Sequence, residues 1–592
     1  MAYRCFHNSV AIQEGLFKGF CTLYFSAVSQ HAGREKAAIG QHHIKCCVTN
    51  GIRIVDLHYF GVRGAATSGC KKSCGSNCQC TKKFIHNNHL IATNIINKYG
   101  YKEIFCIFAE SMRKICIIFL FALTCFNLSA QTAFPTDSVK KRPWTAAAYT
   151  LVLNGGVWAY DRYITKSEFA EISYSTMKSN VKTGFVWDSD CLATNHLGHP
   201  YNGGLYFLGA RSCGLNYWQS LPYATAGSLL WELFAEKEPP GLNDLIATPL
   251  AGAAFGEVFH RTSNYILDDR TRGPERIARE VAAAVINPVG FVDRILTGKL
   301  WKSNTSAVYD ADRIPLSLTV SAIDRFMSDG ADVTLGHHYP SLQIDMEYGD
   351  PMDVSENRPF DHFFGSVTMH MGSSNTQPLF GQVNIAGRLW GREIETGSDN
   401  SEAVFGIWQQ YDFYHNRSAR EDEDNPIFNF SETVAAGPGI VFRQTGNNTV
   451  FHQALFADII GLGAVENSNI FIIERHYNMG SGFALKSLSS LKLWNRVSLS
   501  FQAKLFYLNT WGNYTGRDAV VAGSLDPLYT DTMGDKGYAW AFVLSPSLKV
   551  NIAKHWGITL SASRLGRDSH YHYYPTDKAR TTDVRFGIYY NL

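Results

Sequence analysis

The chain has 592 residues, a formal net charge of +2 and an aromatic content of 13%. This length allows at least two domains, and a nearly neutral chain without a basic stripe interleaved with aromatic residues argues against nucleic acid as a partner. Of the 13 cysteines, only Cys191 and Cys213 lie beyond residue 125. Two cysteines make no disulfide framework, although one bond between them is possible in an oxidising compartment.

An internal segment has the layout of a secretory signal peptide, with a basic pair followed by the uncharged apolar run Ile115–Phe126. The run has about a dozen residues, fewer than the roughly 20 that a membrane-spanning helix needs. An export signal acts at the start of a nascent chain. We therefore expect translation to begin at Met112, residues 1–111 to be an over-extended and disordered start, and residues 112–130 to be the signal peptide.

The first 111 residues contain four closely spaced cysteines, Cys70, Cys74, Cys78 and Cys80. Four thiolates can hold zinc in a tetrahedral site. These cysteines, however, lack the paired two-residue spacing of structural zinc sites, and no amphipathic pattern surrounds them. We interpret this motif as part of an untranslated or unstructured segment.

After a linker over residues 131–141, residues 142–305 have the apolar spacing of helices and predict a compact helical domain. In the third predicted helix, Gly252 and Gly256 stand four apart and allow another helix to approach closely. In the fourth, the spacing directs Ile277, Val281 and Val285 toward the core. The predicted helices are Trp144–Tyr160, Ala224–Glu236, Asp244–Asp268 and a segment that begins at Pro274 and stops before Asn287 and Pro288.

From about Ile314 the apolar spacing changes to alternation, which is typical of strands with one apolar and one polar face. In the segment 342–348, for example, Leu342, Ile344 and Met346 alternate with polar residues. About twelve strands follow one another, with an alternating strand at the C-terminus. Because lipid offers no partners to an open sheet edge, strands that face lipid must close into a barrel. The predicted fold is α+β, an N-terminal helical domain followed over residues 314–592 by an antiparallel transmembrane β-barrel, with a soluble β-sandwich as the alternative.

The polar faces of the first predicted strands carry Asp345, Glu347, Ser366 and His370, which we expect to face the lumen. Polar lumen residues are expected in any such barrel and do not identify a substrate. Twelve strands enclose a narrow interior that side chains or helices can fill. We therefore do not expect a wide diffusion pore.

The densest polar motif is the segment 195–204, Asn-His-Leu-Gly-His-Pro-Tyr-Asn-Gly-Gly. Downstream come Trp231-Glu232, Asn243-Asp244, Gly256-Glu257, His260-Arg261 and the segment 287–294. This combination resembles an uncharacterised family of Gram-negative outer-membrane proteins that is defined by a domain of unknown function, the 3943 type, over about residues 144–299. The resemblance implies a helical domain before a barrel and a place in the outer membrane, and it implies no activity.

Three interpretations apply to the candidate polar cluster of His196, His199, Glu232, Glu257 and His260. As a metal site, Glu257 and His260 share a helix face and His196 and His199 add imidazoles. As a hydrolase site, a histidine acts as general base with Ser212 or Ser228 as nucleophile, without a nucleophile-elbow pattern. As a structural network, the same residues and Arg211 satisfy one another in the interior. The sequence predicts no cofactor and leaves a metal undetermined.

These observations predict an exported protein of the cell outer membrane whose partners are outer-membrane lipid and a small or amphiphilic ligand. The predicted role is envelope structure, or passage or binding of that ligand. The alternative is an outer-membrane enzyme that acts on lipid or lipopolysaccharide through the histidine and glutamate cluster. The protein partners are left undetermined.

Overall fold

The computed structural model describes nine stretches of the chain. The expected signal peptide, the segment before it and the Cys70–Cys80 motif lie outside them. The described residues are 140–188, 190–302, 314–329, 336–372, 377–417, 428–468, 476–511, 536–572 and 574–592.

Seven α-helices make up the first part of the described chain, and the four predicted helices are among them. The helices are α1 (Pro143–Tyr160), α2 (Tyr174–Thr183), α3 (His199–Ser212), α4 (Tyr217–Phe234), α5 (Leu242–Ile266), α6 (Gly273–Ile286) and α7 (Pro288–Leu296). The sequence does not predict α2, α3 and α7, because α2 is short and polar, α3 contains three glycines, and Pro288 is interpreted only as a stop.

No helix in the described stretches has the length and apolar character needed to cross a membrane.

The α3 and α5 helices pack closely through glycines, as the spacing of Gly252 and Gly256 predicted. A Cβ atom added to Gly252 would lie 2.6 Å from the backbone carbon of Gly203, and one added to Gly256 would lie 2.6 Å from the Phe207 ring. Glycine therefore sets the distance between these two helices. The nearby Cys213 is a buried free thiol, so the possible bond to Cys191 is not formed.

The inward face of α6 differs from the prediction. The side chains of Ile277 and Val281 are 65% and 53% exposed, whereas Arg279 and Glu280 are buried. The reason is an ion-pair network with the next helix, in which the Arg294 guanidinium donates to both carboxylate oxygens of Glu280. The prediction that the apolar stripe of this helix faces the core is therefore wrong.

Twelve antiparallel strands form a closed barrel in which each strand pairs with its neighbours in sequence and the last strand pairs with the first. This confirms the predicted architecture and excludes an open sandwich. The strands are β1 (Leu316–Asp329), β2 (Gly336–Tyr348), β3 (Phe363–His370), β4 (Phe380–Ile394), β5 (Ser401–Tyr414), β6 (Phe430–Thr445), β7 (Thr449–Glu466), β8 (Tyr477–Leu493), β9 (Val497–Thr510), β10 (Gly537–Asn551), β11 (Trp556–Tyr571) and β12 (Asp577–Asn591).

The two ends of the barrel differ. At one end, which we call the short-turn end, consecutive strands are connected by the segments 446–448, 494–496 and 552–555. At the other end, which we call the long-loop end, the connections include 415–429 and 511–536. The outer wall of β7 to β12 exposes an apolar belt that includes Ile459, Leu499 and Leu544. Exposed tryptophans lie near both margins of this belt, with Trp556 at the short-turn end and Trp540 at the long-loop end. An apolar belt between aromatic margins is typical of transmembrane barrels.

The helical domain packs against the outer wall of the barrel. On β5, the side chains of Gln410 and Asp412 reach lysines in the lumen, so the alternate residues Gln409 and Tyr411 face outward. The Gln409 amide donates to the backbone oxygen of Leu250 in α5 at 2.6 Å. The Tyr411 ring lies 4.9 Å from that of Phe255 in the same helix. The domain therefore does not plug the lumen.

This interface runs diagonally along the wall. Near the short-turn end of β2, the Thr262 hydroxyl of α5 lies 3.3 Å from the sulfur of Met346. At the long-loop end of β8, the Asn195 amide lies 2.8 Å from the hydroxyl of Tyr477. The helical domain thus lies beside the strands between the two ends of the barrel.

Candidate functional site

The structure divides the five predicted site residues among three places. His196 lies against the barrel, with its Nδ1 atom 2.5 Å from the Thr433 hydroxyl and its ring edge-on to Tyr477. Glu257 and His260 lie together in α5, and His199 lines a separate pocket. Glu232 is buried beside that pocket without lining it, and its carboxylate accepts from the backbone N–H of Gly241 at 2.7 Å. A single five-residue cluster is therefore not formed.

The carboxylate of Glu257 is held between two arginines. Arg211 and Arg261 place their Nε atoms 2.7 Å and 2.8 Å from its oxygens. Burial by itself raises the pKa of this carboxyl, but the two guanidinium groups outweigh burial and lower it to about 2. Both oxygens of Glu257 are occupied, so this residue is a structural ion-pair centre and does not offer a metal ligand with His260. Burial also lowers the pKa of His260, to about 3, which keeps the imidazole neutral.

His199 borders a largely enclosed cavity of about 30 Å³, which we call the acidic pocket. This volume is enough for a small ion or a water molecule, since one water needs roughly 10–15 Å³ measured in this way. One histidine, His199, faces the cavity. Six carboxylates also line it, from Asp161, Asp188, Asp190, Glu236, Glu238 and Asp244.

Three side chains of the acidic pocket, Asp188, His199 and Asp244, bring their oxygen or nitrogen atoms within 4.8 Å of one another. Each comes from a different element. An isolated bridge between Val186 and Gly241 brings the loop before α3 beside the start of α5. Asp244 lies in the first turn of α5, and His199 is the first residue of α3.

Two asparagines hold the carboxylates of this trio. The Asn243 side chain accepts from the backbone N–H of Asp188 at 2.9 Å and donates to Asp244 Oδ1 at 2.7 Å. The Asn195 amide, oriented so that both of its ends are satisfied, places its nitrogen 3.0 Å from Asp188 Oδ2 and 3.2 Å from Asp244 Oδ1. In that orientation its oxygen accepts from Tyr477 of the barrel. The barrel wall thus helps to orient the pocket.

The acidic pocket strongly perturbs its titratable groups. Burial, together with the nearby carboxylates of Asp188 and Glu232, raises the pKa of Asp244 well above its usual range. Burial also raises the pKa of Glu232 to about 8 and lowers that of His199 to about 4. A neutral imidazole therefore faces carboxyl groups that hold protons when no cation balances them.

The predicted serine nucleophiles are not placed for attack. The Ser228 hydroxyl donates to the backbone oxygen of Asp244 at 3.1 Å. The Ser212 hydroxyl is buried without a hydrogen-bond partner among the described residues. Asp188 and Asp244 are site residues that the predicted cluster left out. The sequence signals for them are the Asn243-Asp244 pair at a helix start, which is one of the motifs of the resemblance, and an Asp-Ser-Asp loop.

The lumen is the second candidate site, and side chains cross it. Lys486 of β8 reaches Glu432 of β6 at 2.6 Å and Asp412 of β5 at 2.9 Å. Lys504 of β9 reaches the other oxygen of Asp412 at 2.7 Å. These ion pairs join strands that are not neighbours in the sheet. Their side chains therefore cross the described part of the lumen.

A polar cavity of about 410 Å³ occupies the part of the lumen toward the short-turn end. The predicted lumen residues Asp345, Glu347 and Ser366 line it, and Lys549 of β10 reaches across to Asp345 at 2.8 Å. This cavity is large enough for a small polar ligand. Lys549 and Arg585 bring positive charge to its wall, whereas no lysine or arginine is among the described residues that line the acidic pocket.

Comparison with known proteins gives one family and several solved barrels. No curated protein sequence matches the chain. Among solved structures, the NanC porin matches with 10% identity and a TM-score of 0.24 over 46% of this chain and 100% of its own. The KdgM porin, solved in complex with disordered oligogalacturonate, matches with 9% identity and a TM-score of 0.21 over 46% of this chain and 98% of its own. The outer membrane channel DcaP of Acinetobacter baumannii matches with 8% identity and a TM-score of 0.21 over 47% and 97%.

The family match falls on the helical domain. Residues 184–289 match the model of the family described as Domain of unknown function (DUF3943). These residues include the trio Asp188, His199 and Asp244 and the Glu257 ion-pair centre. The resemblance predicted from the polar motifs is thereby confirmed over this segment.

Proposed function

We propose that this chain is an outer-membrane protein that binds a small or amphiphilic ligand, with the polar head of the ligand at the open side of the acidic pocket. The observation that carries this proposal is the packing of the helical domain on the outer wall of the barrel. A barrel wall of this kind faces lipid. A binding pocket in a domain on that wall is therefore open to molecules that come from the bilayer.

The surface of the helical domain supports a lipid environment. Val152 in α1 is 69% exposed, and the apolar side chains of Leu151, Ile277 and Leu296 are also exposed. Soluble domains rarely expose large contiguous apolar patches. The outer wall of the barrel also exposes apolar side chains, such as Ile459 and Leu499, and lipid is a cover that suits both surfaces.

The position of the acidic pocket along the barrel axis favours an amphiphilic ligand. Tyr477, which contacts Asn195 of the pocket, is the first residue of β8 at the long-loop end. Trp187, beside Asp188, packs against Trp511 at the same end, with ring centroids 4.6 Å apart. In outer-membrane barrels the longer loops face outward and aromatic residues mark the headgroup level. The pocket therefore lies where the polar heads of outer-leaflet lipids are found.

Passage through the barrel is the weaker candidate, because buried ion pairs cross the described lumen. Planar-bilayer recordings of the purified protein are expected to show no stable open-channel conductance. A reproducible ohmic conductance that Lys504→Ala increases would favour a pore.

Native mass spectrometry of the protein extracted from outer membranes tests the proposed binding. We expect a lipid-sized adduct on the wild type that is lost in Asn195→Ala, which removes the amide that joins Asp188 and Asp244 of the pocket to Tyr477 of the barrel. The control is Asn400→Ala, an exposed asparagine in a turn of the barrel. Equal adducts on all three proteins would contradict binding in the acidic pocket.

An enzyme acting on lipid is the second candidate, favoured by the neutral His199 imidazole whose Nε2 atom lies 3.6 Å from Asp244 Oδ1. Such an imidazole can act as a general base. Thin-layer chromatography of outer-membrane lipids incubated with the protein would then show a product that His199→Gln abolishes. Unchanged lipids would contradict an enzymatic role and leave ligand binding as the proposed function.

The location and processing are part of the same proposal. We propose export by the signal peptide at residues 112–130, a helical domain over residues 142–305 and a barrel over residues 314–592. N-terminal sequencing of the protein from isolated outer membranes is expected to begin at Gln131. A chain that begins at Met1 would contradict the proposed processing.

A further inference from the structure

We infer that Asp188, His199 and Asp244 bind a divalent transition-metal ion, of the type of Zn²⁺ or Mn²⁺, through two carboxylates and one imidazole. Their ligand atoms lie within 4.8 Å of one another around the enclosed cavity. Zinc and manganese accept such mixed nitrogen and oxygen donors, whereas sites for Ca²⁺ and Mg²⁺ use oxygen donors.

The spacing between His199 and Asp244 fits two ligands of one ion. The His199 Nε2 atom lies 3.6 Å from Asp244 Oδ1, which is too far for a hydrogen bond. Metal bonds of about 2.1 Å that meet near the tetrahedral angle separate their two ligand atoms by about 3.4 Å. An ion between these two atoms would therefore need only a small adjustment of either side chain.

The surroundings of the trio are those of an oriented metal site. In such sites, groups behind the ligands fix their direction. Asn243 donates to Asp244 and holds the backbone of Asp188, and the Thr248 hydroxyl lies 3.4 Å from the other ring nitrogen of His199. This second nitrogen is the one that the ring uses for orientation, which leaves Nε2 for the ion.

The charge of the cavity gives a reason for a cation. Glu236 and Asp161 also line it, and among the described residues no arginine or lysine lies at its wall. A divalent ion would neutralise this concentration of carboxylates. Its remaining coordination positions would face the open side of the cavity, where an oxygen of an anionic head group can approach. Only this last step rests on the proposed function, since the trio binds the ion by itself.

Isothermal titration of the full chain in detergent, stripped with a chelator and then titrated with Zn²⁺ alone and Mn²⁺ alone, tests the inference. We expect one site per chain, with an affinity that falls at least about 100-fold in Asp244→Asn and in His199→Gln. His338→Gln is the matched control, because His338 and Asp324 form an exposed histidine–aspartate pair on the barrel. This control should bind as the wild type does.

Absence of one-site binding, or equal affinity in wild type, Asp244→Asn and His199→Gln, would overturn the inference. Binding of Ca²⁺ or Mg²⁺ with preference over Zn²⁺ and Mn²⁺ would also overturn it. Circular dichroism and heat-modifiable migration on gels establish that each variant is folded. Because no lipid is present, a positive titration together with the absence of a lipid adduct would refute the proposed function and leave the metal site standing.

Discussion

The lumen and the acidic pocket bury carboxylates in opposite ways. In the lumen, Asp412 and Glu432 face Lys486, and Asp583 faces arginines on its own and the next strand. In the acidic pocket, carboxylates face one another across a cavity with His199. Paired buried charges hold a fold together, but like charges without a counter-ion cost stability. The comparison supports a structural role for the lumen network and agrees with the binding role that we propose for the pocket.

The largest effect should come from the lumen. Replacing Lys486 by Met removes the ammonium group that Asp412, Glu432 and Asp458 share. Buried carboxylates left without their partner typically cost about 3–5 kcal/mol. Urea unfolding in detergent should show a loss of this size. Lys492→Met, at an exposed position of the same strand, is the control and should change little.

A second prediction concerns Glu257, which represents paired charge within the helical domain. Its folded pKa of about 2 lies below the usual value of 4.5, so the pairing stabilises the fold above pH 4.5. That contribution, about 3 kcal/mol, is lost as the pH falls from 4.5 toward 2. In Glu257→Gln the helical domain should be less stable at pH 7 and should lose this part of its acid sensitivity. An unchanged pH profile of unfolding would contradict the assigned ion pairs.

A third prediction tests the close packing that places the pocket. Gly252→Ala puts a methyl group 2.6 Å from the backbone of Gly203 and should destabilise the helical domain by about 1–3 kcal/mol. Gly155→Ala in α1 meets nothing within 4 Å and should stabilise the domain by about 0.5–1 kcal/mol. Thermal unfolding of both variants measures these two changes in stability. Equal changes in Tm would contradict the close packing of α3 and α5.

The smallest effect on stability should come from the acidic pocket, with the opposite sign. Asp244→Asn keeps an oxygen for the Asn243 amide but removes one of the facing carboxyl groups. In chelator-treated protein at pH 7 we expect stability equal to or up to about 1 kcal/mol above the wild type, since no unpaired arginine or lysine is left behind. A loss above 2 kcal/mol in urea unfolding would mean that the pocket is structural, as the lumen is.

The barrel was predictable from sequence because each strand repeats the same two-residue alternation. Residues 342–348 and 497–507 show this pattern directly, and the number of strands follows from repeating it. The side of the barrel on which the helical domain lies was not predictable, because Tyr411 and Gln409 have the same outward direction whether lipid or α5 covers them. The apolar stripe of α6 was misassigned because Glu280 pairs with Arg294 of α7 in the interior, which leaves Ile277 at the surface.

The candidate site was predicted in part. The motif 195–204 located His199, but sequence spacing grouped it with Glu257, which is three residues from His260 and therefore attracted a metal interpretation. In space, Arg211 from α3 neutralises Glu257, and Asp188 and Asp244 come to His199 from segments about 55 residues apart in the chain. Such long-range pairing leaves no local pattern that reasoning from sequence can detect.

Photo-labelling tests whether an amphiphilic ligand binds at the acidic pocket. An amphiphile with a photoreactive group in its polar head is incubated with the protein in nanodiscs, and the labelled peptides are identified by mass spectrometry. Binding in the acidic pocket predicts labels on the segments around Asp188, His199 and Asp244, reduced in Asp244→Asn and unchanged in Lys549→Met. Labels confined to the lumen strands around Asp345 and Lys549 would show that the barrel cavity binds the ligand and would contradict binding at the acidic pocket.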